Sequence, residues 1–274
     1  MRRSFRHSSV MGNLFLITVA VLTFLPFYFM LITSVKTTSQ MRHYFLSPTW
    51  PLHLTNYVIA FRQIVRYLLN TMIVASITVP GVVLFSSLSA FAFARYSFPG
   101  RTVLFYAVIS MLMVPGILTL VPAFIWIKQL GLLNTYWALV LPYIASGQVF
   151  AIYLLRSFFA TLPEELFDSA YIDGASRLEV YRHIALPLVK PMISTVAILS
   201  ILSTWNDYIW PLVTLQNDKM RTLTIGLRYF QGQFHTNYGP LFAGYILGSL
   251  PLLVAFLIGM RSFIAGLTAG AIKM

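Results

Sequence analysis

Residues 161–187 read TLPEELFDSAYIDGASRLEVYRHIALP. This stretch carries five of the seven acidic residues of the chain, Glu164, Glu165, Asp168, Asp173 and Glu179. Thr161-Leu162-Pro163-Glu164-Glu165 reads as a helix start, because proline suits the first turn and carboxylates there meet the positive end of the helix dipole. The helix is expected to stop near Asp173 and Gly174, since glycine adopts the left-handed conformation of a helix end without steric cost. Ser176-Arg177-Leu178-Glu179 then spells a capping box that opens a second short helix, with Pro187 expected to end it. The spacing predicts a helix-turn-helix hairpin too polar to cross a bilayer. On its first helix Leu166, Phe167, Ala170 and Tyr171 form an apolar face about one helix wide. Such a face must be buried on the chain's own spans, at a lipid interface, or in the groove of another subunit.

Outward from the hairpin the sequence turns apolar. Blocks at 14–33, 70–94, 102–127 and 136–155 precede it, and blocks at 192–213 and 241–260 follow. Each is long enough to cross a hydrocarbon core of roughly 30 Å at about 1.5 Å per residue. Of 274 residues 58% are hydrophobic and only 9% charged, far below the roughly 25% charged residues of a soluble domain. The expectation is an all-α polytopic membrane protein with six transmembrane helices, organised as one transmembrane domain over 1–274. Its parts are a first span at 14–34, an outer loop at 35–69, a five-span core at 70–260 that contains the hairpin within 158–187, and a tail at 261–274. The basic start Met1-Arg2-Arg3-Ser4-Phe5-Arg6 resembles a secretory signal. The apolar run behind it is too long for a signal core and no small-x-small cleavage site follows before Lys36, so it reads as a retained span.

Six spans put both termini on one side. Arg2, Arg3 and Arg6 with Arg95 and Arg101 argue for a cytoplasmic N-terminus, second loop and C-terminus. Against this, eight of the 19 basic residues fall in the outer loops: Lys36, Arg42, Arg62, Arg66, Lys128, Lys219, Arg221 and Arg228. The net charge of +12 therefore reads as topology anchors and contacts to anionic lipid. No basic stripe interleaved with stacking aromatics points to nucleic acid. With no cysteine there is no disulfide framework, thiol nucleophile or thiolate metal site. The histidines at 7, 43, 53, 183 and 235 show no paired spacing, so no metal is expected.

Every span carries proline: Pro26, Pro80, Pro115 with Pro122, Pro142, Pro211 and Pro251. Proline removes an intrahelical hydrogen bond, which lipid tolerates only where something else satisfies the freed carbonyl. Either these prolines line a bundle around a path or they reflect the general frequency of proline in spans. Gly244 and Gly248 form a small-xxx-small pair suited to close helix approach. Asp207 lies about twenty residues beyond Pro187, roughly 30 Å of helix, which puts it near the outer face. It is either a solvated interfacial carboxylate or, with Asn206 and Tyr208, part of an outer gate or path. Asn70, Thr71, Thr119 and Gln148 are further polar candidates for a path.

The stretch from Leu162 to Ser176, with Ile184-Ala185-Leu186-Pro187 nine residues after Gly174, resembles the EAA loop of ABC importer permeases. That motif runs E-A-A, three residues, G, nine residues, I-x-L-P. Asp168 stands where the family has glutamate, and Ser169 where it has the first alanine. Residues 48–57, Arg95-Tyr96-Ser97-Phe98-Pro99-Gly100-Arg101, and Trp205-Asn206-Asp207-Tyr208 with Pro211 look like further family signatures. The tail Gly266-Leu267-Thr268-Ala269-Gly270-Ala271-Ile272-Lys273 is similar to that of the carbohydrate branch, of maltose and glycerol-phosphate type.

The resemblance implies a type I ABC importer permease fold in a bacterial cytoplasmic membrane, carrying a sugar or sugar derivative by alternating access. It implies a second homologous permease, two ATPase subunits and an extracellular solute-binding protein as partners. Coupling to the ATPase would fall to Glu165, Leu166, Phe167, Asp168, Ala170, Tyr171, Asp173, Gly174, Ala175, Ile184 and Pro187, and Asn206, Asp207 and Tyr208 would belong to the gate or path. The chain contains no G-x-x-x-x-G-K-[ST] phosphate loop, so it is expected to be no enzyme and to bind no cofactor, with ATP and Mg on the partner subunits. The rivals are an ion-coupled secondary transporter, which needs ionisable groups buried at mid-membrane, and an intramembrane transferase, which needs convergent acidic or histidine residues at a span end. Neither pattern is visible in the six blocks.

Overall fold

The computed structural model describes residues 4–232 and 236–271, with side chains at 11–232, 236–264 and 266. Arg2, Arg3, His235, Ile272 and Lys273 lie outside the described residues, as do the side chains of Arg6 and His7. The helices run α1 Ser4–Ser34, α2 Thr38–His43, α3 Thr55–Arg95, α4 Arg101–Ser110, α5 Gly116–Gln129, α6 Trp137–Phe159 and α7 Glu165–Ile172. They continue as α8 Arg177–Glu179, α9 Leu186–Leu188, α10 Lys190–Asn206, α11 Ile209–Thr214, α12 Leu223–Gly226 and α13 Tyr238–Ala271. A π-helical segment, Val180–Ala185, joins α8 to α9. Among the described residues there is no strand, only an isolated antiparallel bridge between Gln231 and Thr236.

Among the described residues four helices are long and apolar enough to cross a membrane unbroken: Met11–Ser34, Thr55–Arg95, Trp137–Phe159 and Tyr238–Ile264. Two further spans exist if each of two bent pairs counts as one. Arg101–Met113 meets Gly116–Gln129 at 102°, and Arg177–Leu188 meets Lys190–Asn206 at 78°.

The expected span at 102–127 is thus broken rather than kinked. Pro115 drives the preceding residue out of the helical region, and Val114 is extended at φ −83° and ψ 114°. The expected span at 192–213 also breaks, with Asp207 extended between α10 and α11. Within the stretch expected as an outer loop, α3 already begins at Thr55. The buried residues Asn56, Ala60, Ile64 and Tyr67 explain this, since they recur every three or four positions as one helical stripe. At the other end, α13 runs through the expected tail as far as Ala271.

The chain packs as two compact units, residues 1–65 with 226–250 and residues 66–225 with 251–274. In the first, the C-terminal carbonyls of α1 would be orphaned without a partner. Asn56 Nδ2 donates to both Ser34 O and Lys36 O at 2.9 Å. A Cβ on Gly239 would run into that same Asn56 amide and the Lys36 carbonyl, so only glycine fits there. Lys36 itself is 1% exposed, and its ammonium donates to the carbonyls of Tyr44 (2.7 Å) and Phe45 (3.3 Å). Gly244, expected to admit another helix, has Ala60 of α3 at 3.9 Å from where a Cβ would stand, with Leu227 and Phe230 of a short turn nearer still.

In the second unit α3 and α6 cross closely. A Cβ on Gly147 would stand 2.9 Å from Val82 Cγ2, and one on Gly81 would press on Ile144. Two of the span prolines here have their freed carbonyls taken up. Pro142 offers no N–H to Ala138 O, which instead accepts Trp210 Nε1 at 2.9 Å. Pro211 likewise leaves Asp207 O free, and Thr224 Oγ1 donates to it at 2.7 Å. Each proline is therefore a place where a second element is tied on.

Candidate functional site

The hairpin forms as the sequence spelled it. α7 opens with Glu164 as its N-terminal flanking residue and ends at Ile172, two residues before Gly174, whose φ of +82° is the left-handed region. Ser176 and Glu179 complete a reciprocal capping box: Glu179 Oε2 accepts from Ser176 N (2.8 Å) and Ser176 Oγ (2.7 Å), while Glu179 N donates back to Ser176 Oγ. One expectation is corrected here. Pro187 does not end the second arm, which continues through Leu188 and breaks at Val189. In the π-segment the Leu186 N–H reaches back to Tyr181 O, and helical geometry resumes across the proline.

The apolar face of α7 is split between the chain's own interior and the outside. Phe167 is 4% exposed and sits under the Arg95 guanidinium, 4.1 Å from its ring centroid. Ala170, Ala175 and Ile184 are half-buried behind it. Leu166 and Tyr171 are exposed, and so are Ile172 and Leu178, which sequence reasoning did not single out. Glu165, Asp168, Asp173, Gly174 and Pro187 are exposed around them.

Inside, the anchor is Phe91 of α3. Its ring meets those of Phe159 (5.4 Å), Tyr181 (5.3 Å), Tyr96 (5.5 Å) and Phe167 (6.3 Å). Arg95 Nη2 donates to the carbonyls of Phe159 (2.7 Å) and Leu162, so one guanidinium closes the C-terminal end of α6 and carries the ring of α7. Arg177 lies over the Tyr96 ring at 4.9 Å. Burial, with a hydrogen bond to Tyr171, pushes the Tyr96 phenol up to about 12.

Asn206, Asp207 and Tyr208 lie at the break between α10 and α11. Asp207 is half-buried, and its carboxylate accepts Tyr143 OH at 2.7 Å and Trp210 N at 3.4 Å. Through these two bonds Asp207 ties α6 to the start of α11. Exposed Asn206 folds back on its own helix, donating to Leu202 O at 2.8 Å.

Sequence reasoning missed the clasp that holds residues 214–223 to α3. Asn70 Nδ2 donates to Lys219 O (2.9 Å) and Arg221 O (2.8 Å), and Asn70 Oδ1 accepts Tyr136 OH at 2.8 Å. Thr71 Oγ1 accepts Leu223 N, and Tyr67 OH donates to the Asp218 carboxylate. Asn134 Oδ1 accepts Gln216 N and Asn217 N at 2.7 Å each. Asn70 and Thr71 are buried by this work. Gln148, half-buried, has a buried Oε1 without a partner, and Thr119 is exposed and donates to Gly116 O. Asn70→Leu keeps the size but strands two carbonyls and a phenol. It is expected to lower stability by about 2 kcal/mol, read as the denaturation midpoint in mild detergent.

An all-helical chain with several membrane-length helices and a capped polar hairpin between them is a polytopic membrane protein. The pattern described as binding-protein-dependent transport system inner membrane component matches residues 54–267, and the chain belongs to that family. It is similar to the arabinooligosaccharides transport system permease protein AraQ of Halalkalibacterium halodurans, 36% identical over 225 residues, 81% of this chain and 80% of the relative. It is also similar to the melibiose/raffinose/stachyose import permease protein MelC of Bacillus subtilis, 31% identical over 258 residues and 93% of each chain. Among solved structures its fold matches a chain of a bacterial ABC transporter involved in the import of the acidic polysaccharide alginate. The TM-score is 0.84 over 95% of this chain and 98% of that one, at 19% identity. The fold is that of an ABC importer permease.

Proposed function

We propose that the chain is one transmembrane subunit of an ATP-driven importer that carries a sugar or oligosaccharide across the cytoplasmic membrane. It works beside a second homologous permease, two ATPase subunits that hold ATP and Mg, and an extracellular solute-binding protein. The observation that carries this reading is the hairpin, internally capped and anchored through Phe167 and Arg95, with Leu166, Ile172 and Leu178 left outside among carboxylates. An element rigid on one side and apolar on the other transmits a push without deforming. The hairpin and both termini lie on the cytoplasmic side. ATP-driven closure of the ATPase pair moves the hairpin as a body, and the spans alternate between inward and outward access. Sugar as cargo is supported by the arabinooligosaccharide and melibiose/raffinose/stachyose permeases among the relatives. Asn206, Asp207 and Tyr208 brace the outer end of the path rather than bind cargo.

The test is to purify the tagged chain from its native host in mild detergent and identify what accompanies it by mass spectrometry. A second permease and a Walker-motif ATPase are expected, and recovery of the chain alone across several detergents would sink the reading. In the same host Asp168→Ala removes an exposed carboxylate from the docking face. It is expected to cut sugar uptake about tenfold or more, and unchanged uptake would remove Asp168 from the coupling surface.

A further inference from the structure

The hairpin has two routes by which a push could reach the membrane spans. The covalent route leads from the second arm into α10, but it passes the 78° bend at Val189, whose φ of −96° and ψ of 9° interrupt the helix. The bend lies between Pro187 and Pro191, each of which removes a backbone N–H from the helical ladder. A helix interrupted there is a hinge rather than a rod.

The other route is through side chains into α3. Tyr181 lies at the start of the π-helical segment and is 6% exposed. Its hydroxyl meets Ser87 Oγ of α3 at 2.7 Å, a contact between two buried groups. Ser87 Oγ also lies 3.1 Å from Leu84 O, within donating distance, and in the Tyr181–Ser87 pair either hydroxyl can be the donor. One turn further along α3, Phe91 packs against the Tyr181 ring and the Phe167 ring, so it touches both arms of the hairpin. One more turn on, Arg95 covers Phe167. Ser87, Phe91 and Arg95 are spaced four apart, so they form one stripe on one face of α3. Roughly 25 Å back along the same helix, Tyr67, Asn70 and Thr71 hold the 218–223 segment.

We infer that Tyr181, Ser87 and Phe91 form the joint through which hairpin movement is delivered to α3, and that α3 carries it to the clasp at 218–223. Tyr181 and Ser87 are positioning residues: they touch neither nucleotide nor cargo. A π-turn at the joint fits this role, since such turns concentrate where a helix must present one side chain out of ordinary register.

The inference rests on the ATP-driven reading above, and the experiment separates the two. The complex is reconstituted in proteoliposomes, and sugar uptake and ATP hydrolysis are measured together. Tyr181→Phe and Ser87→Ala each remove one oxygen and leave the exposed hairpin surface untouched, so the ATPase is expected to remain bound and to hydrolyse ATP within about twofold of the unaltered complex. Sugar carried per ATP is expected to fall about fivefold in each variant. The double variant is expected to be no worse than the poorer single one, because both remove the same contact.

An unchanged ratio, additive losses, or uptake and hydrolysis falling in parallel would overturn the joint. Absence of an ATPase from the unaltered complex would overturn the ATP-driven reading itself. Because the chain has no cysteine, a Ser87→Cys, Tyr181→Cys pair can also be bridged by a short bis-methanethiosulfonate cross-linker. The joint predicts that bridging restores the ratio, and inhibition on bridging would show that the hairpin must slide past α3.

Discussion

Replacing Arg95 with alanine is expected to destabilise the chain by about 3 kcal/mol. The side chain has three tasks at one point. It donates to the carbonyls of Phe159 and Leu162 at the end of α6, and it lies over the Phe167 ring of α7. Pro163 cannot offer an N–H to Phe159 O, its partner four residues back, so the guanidinium takes over what the helix would otherwise have supplied. Alanine leaves both carbonyls short of a charge-assisted donor and uncovers one face of a buried ring. Arg95→Lys restores the charge but not a planar group that both stacks on the ring and serves the two carbonyls, so it is expected to recover less than half of the loss. Denaturation midpoints in mild detergent measure the stability, and limited proteolysis around residues 160–175 reports whether α7 comes loose. Equal stability for Arg95→Ala would show that the Phe91 and Phe167 rings hold the hairpin alone.

How much of this was legible in the sequence follows from the range of each interaction. Gly174, Ser176 and Glu179 lie within five positions of one another, so hairpin, turn and capping box could be read from spacing and are found in place. The apolar face of α7 was legible only in outline. At roughly 100° per residue, Leu166, Ala170, Phe167 and Tyr171 spread in that order over about 140° of the helix. The middle pair turns inward, while Leu166 and Tyr171 at the flanks stay exposed. No local rule says which third of an apolar arc its own protein will cover. The broken span at Pro115 looked like an ordinary kink because hydropathy averages over a window and records no bend. The clasp was out of reach altogether: Asn70 finds the Lys219 and Arg221 carbonyls 149 and 151 residues away. A buried asparagine in an apolar block signals that some partner exists, without saying that it is backbone rather than cargo.

Ile172→Glu is expected to abolish recovery of the ATPase on the tagged chain, an apparent loss of affinity of about a hundredfold or more. Ile172 is the last residue of α7 and is 86% exposed, the opposite of what an isoleucine of a folded chain prefers. Leu178 and the flanks Leu166 and Tyr171 are exposed with it, and Glu165, Asp168, Asp173 and Glu179 surround them. An apolar centre within a charged rim is the anatomy of a protein interface, and the acidic rim calls for basic residues around the partner's groove. Burying an isoleucine there contributes about 2 kcal/mol, and a glutamate in its place would also have to shed its hydration in the groove. Since the side chain touches little of its own protein, stability should change by no more than about 0.5 kcal/mol. Phe167→Ala is the opposite case on the same helix: an interior ring is lost, and stability should fall by about 3 kcal/mol or more. Co-purification and denaturation, measured on both variants, therefore separate the surface that docks from the core that holds it. If Ile172→Glu retained the ATPase in full, the exposed side of α7 would not be the docking face, and the push would have to enter the hairpin elsewhere.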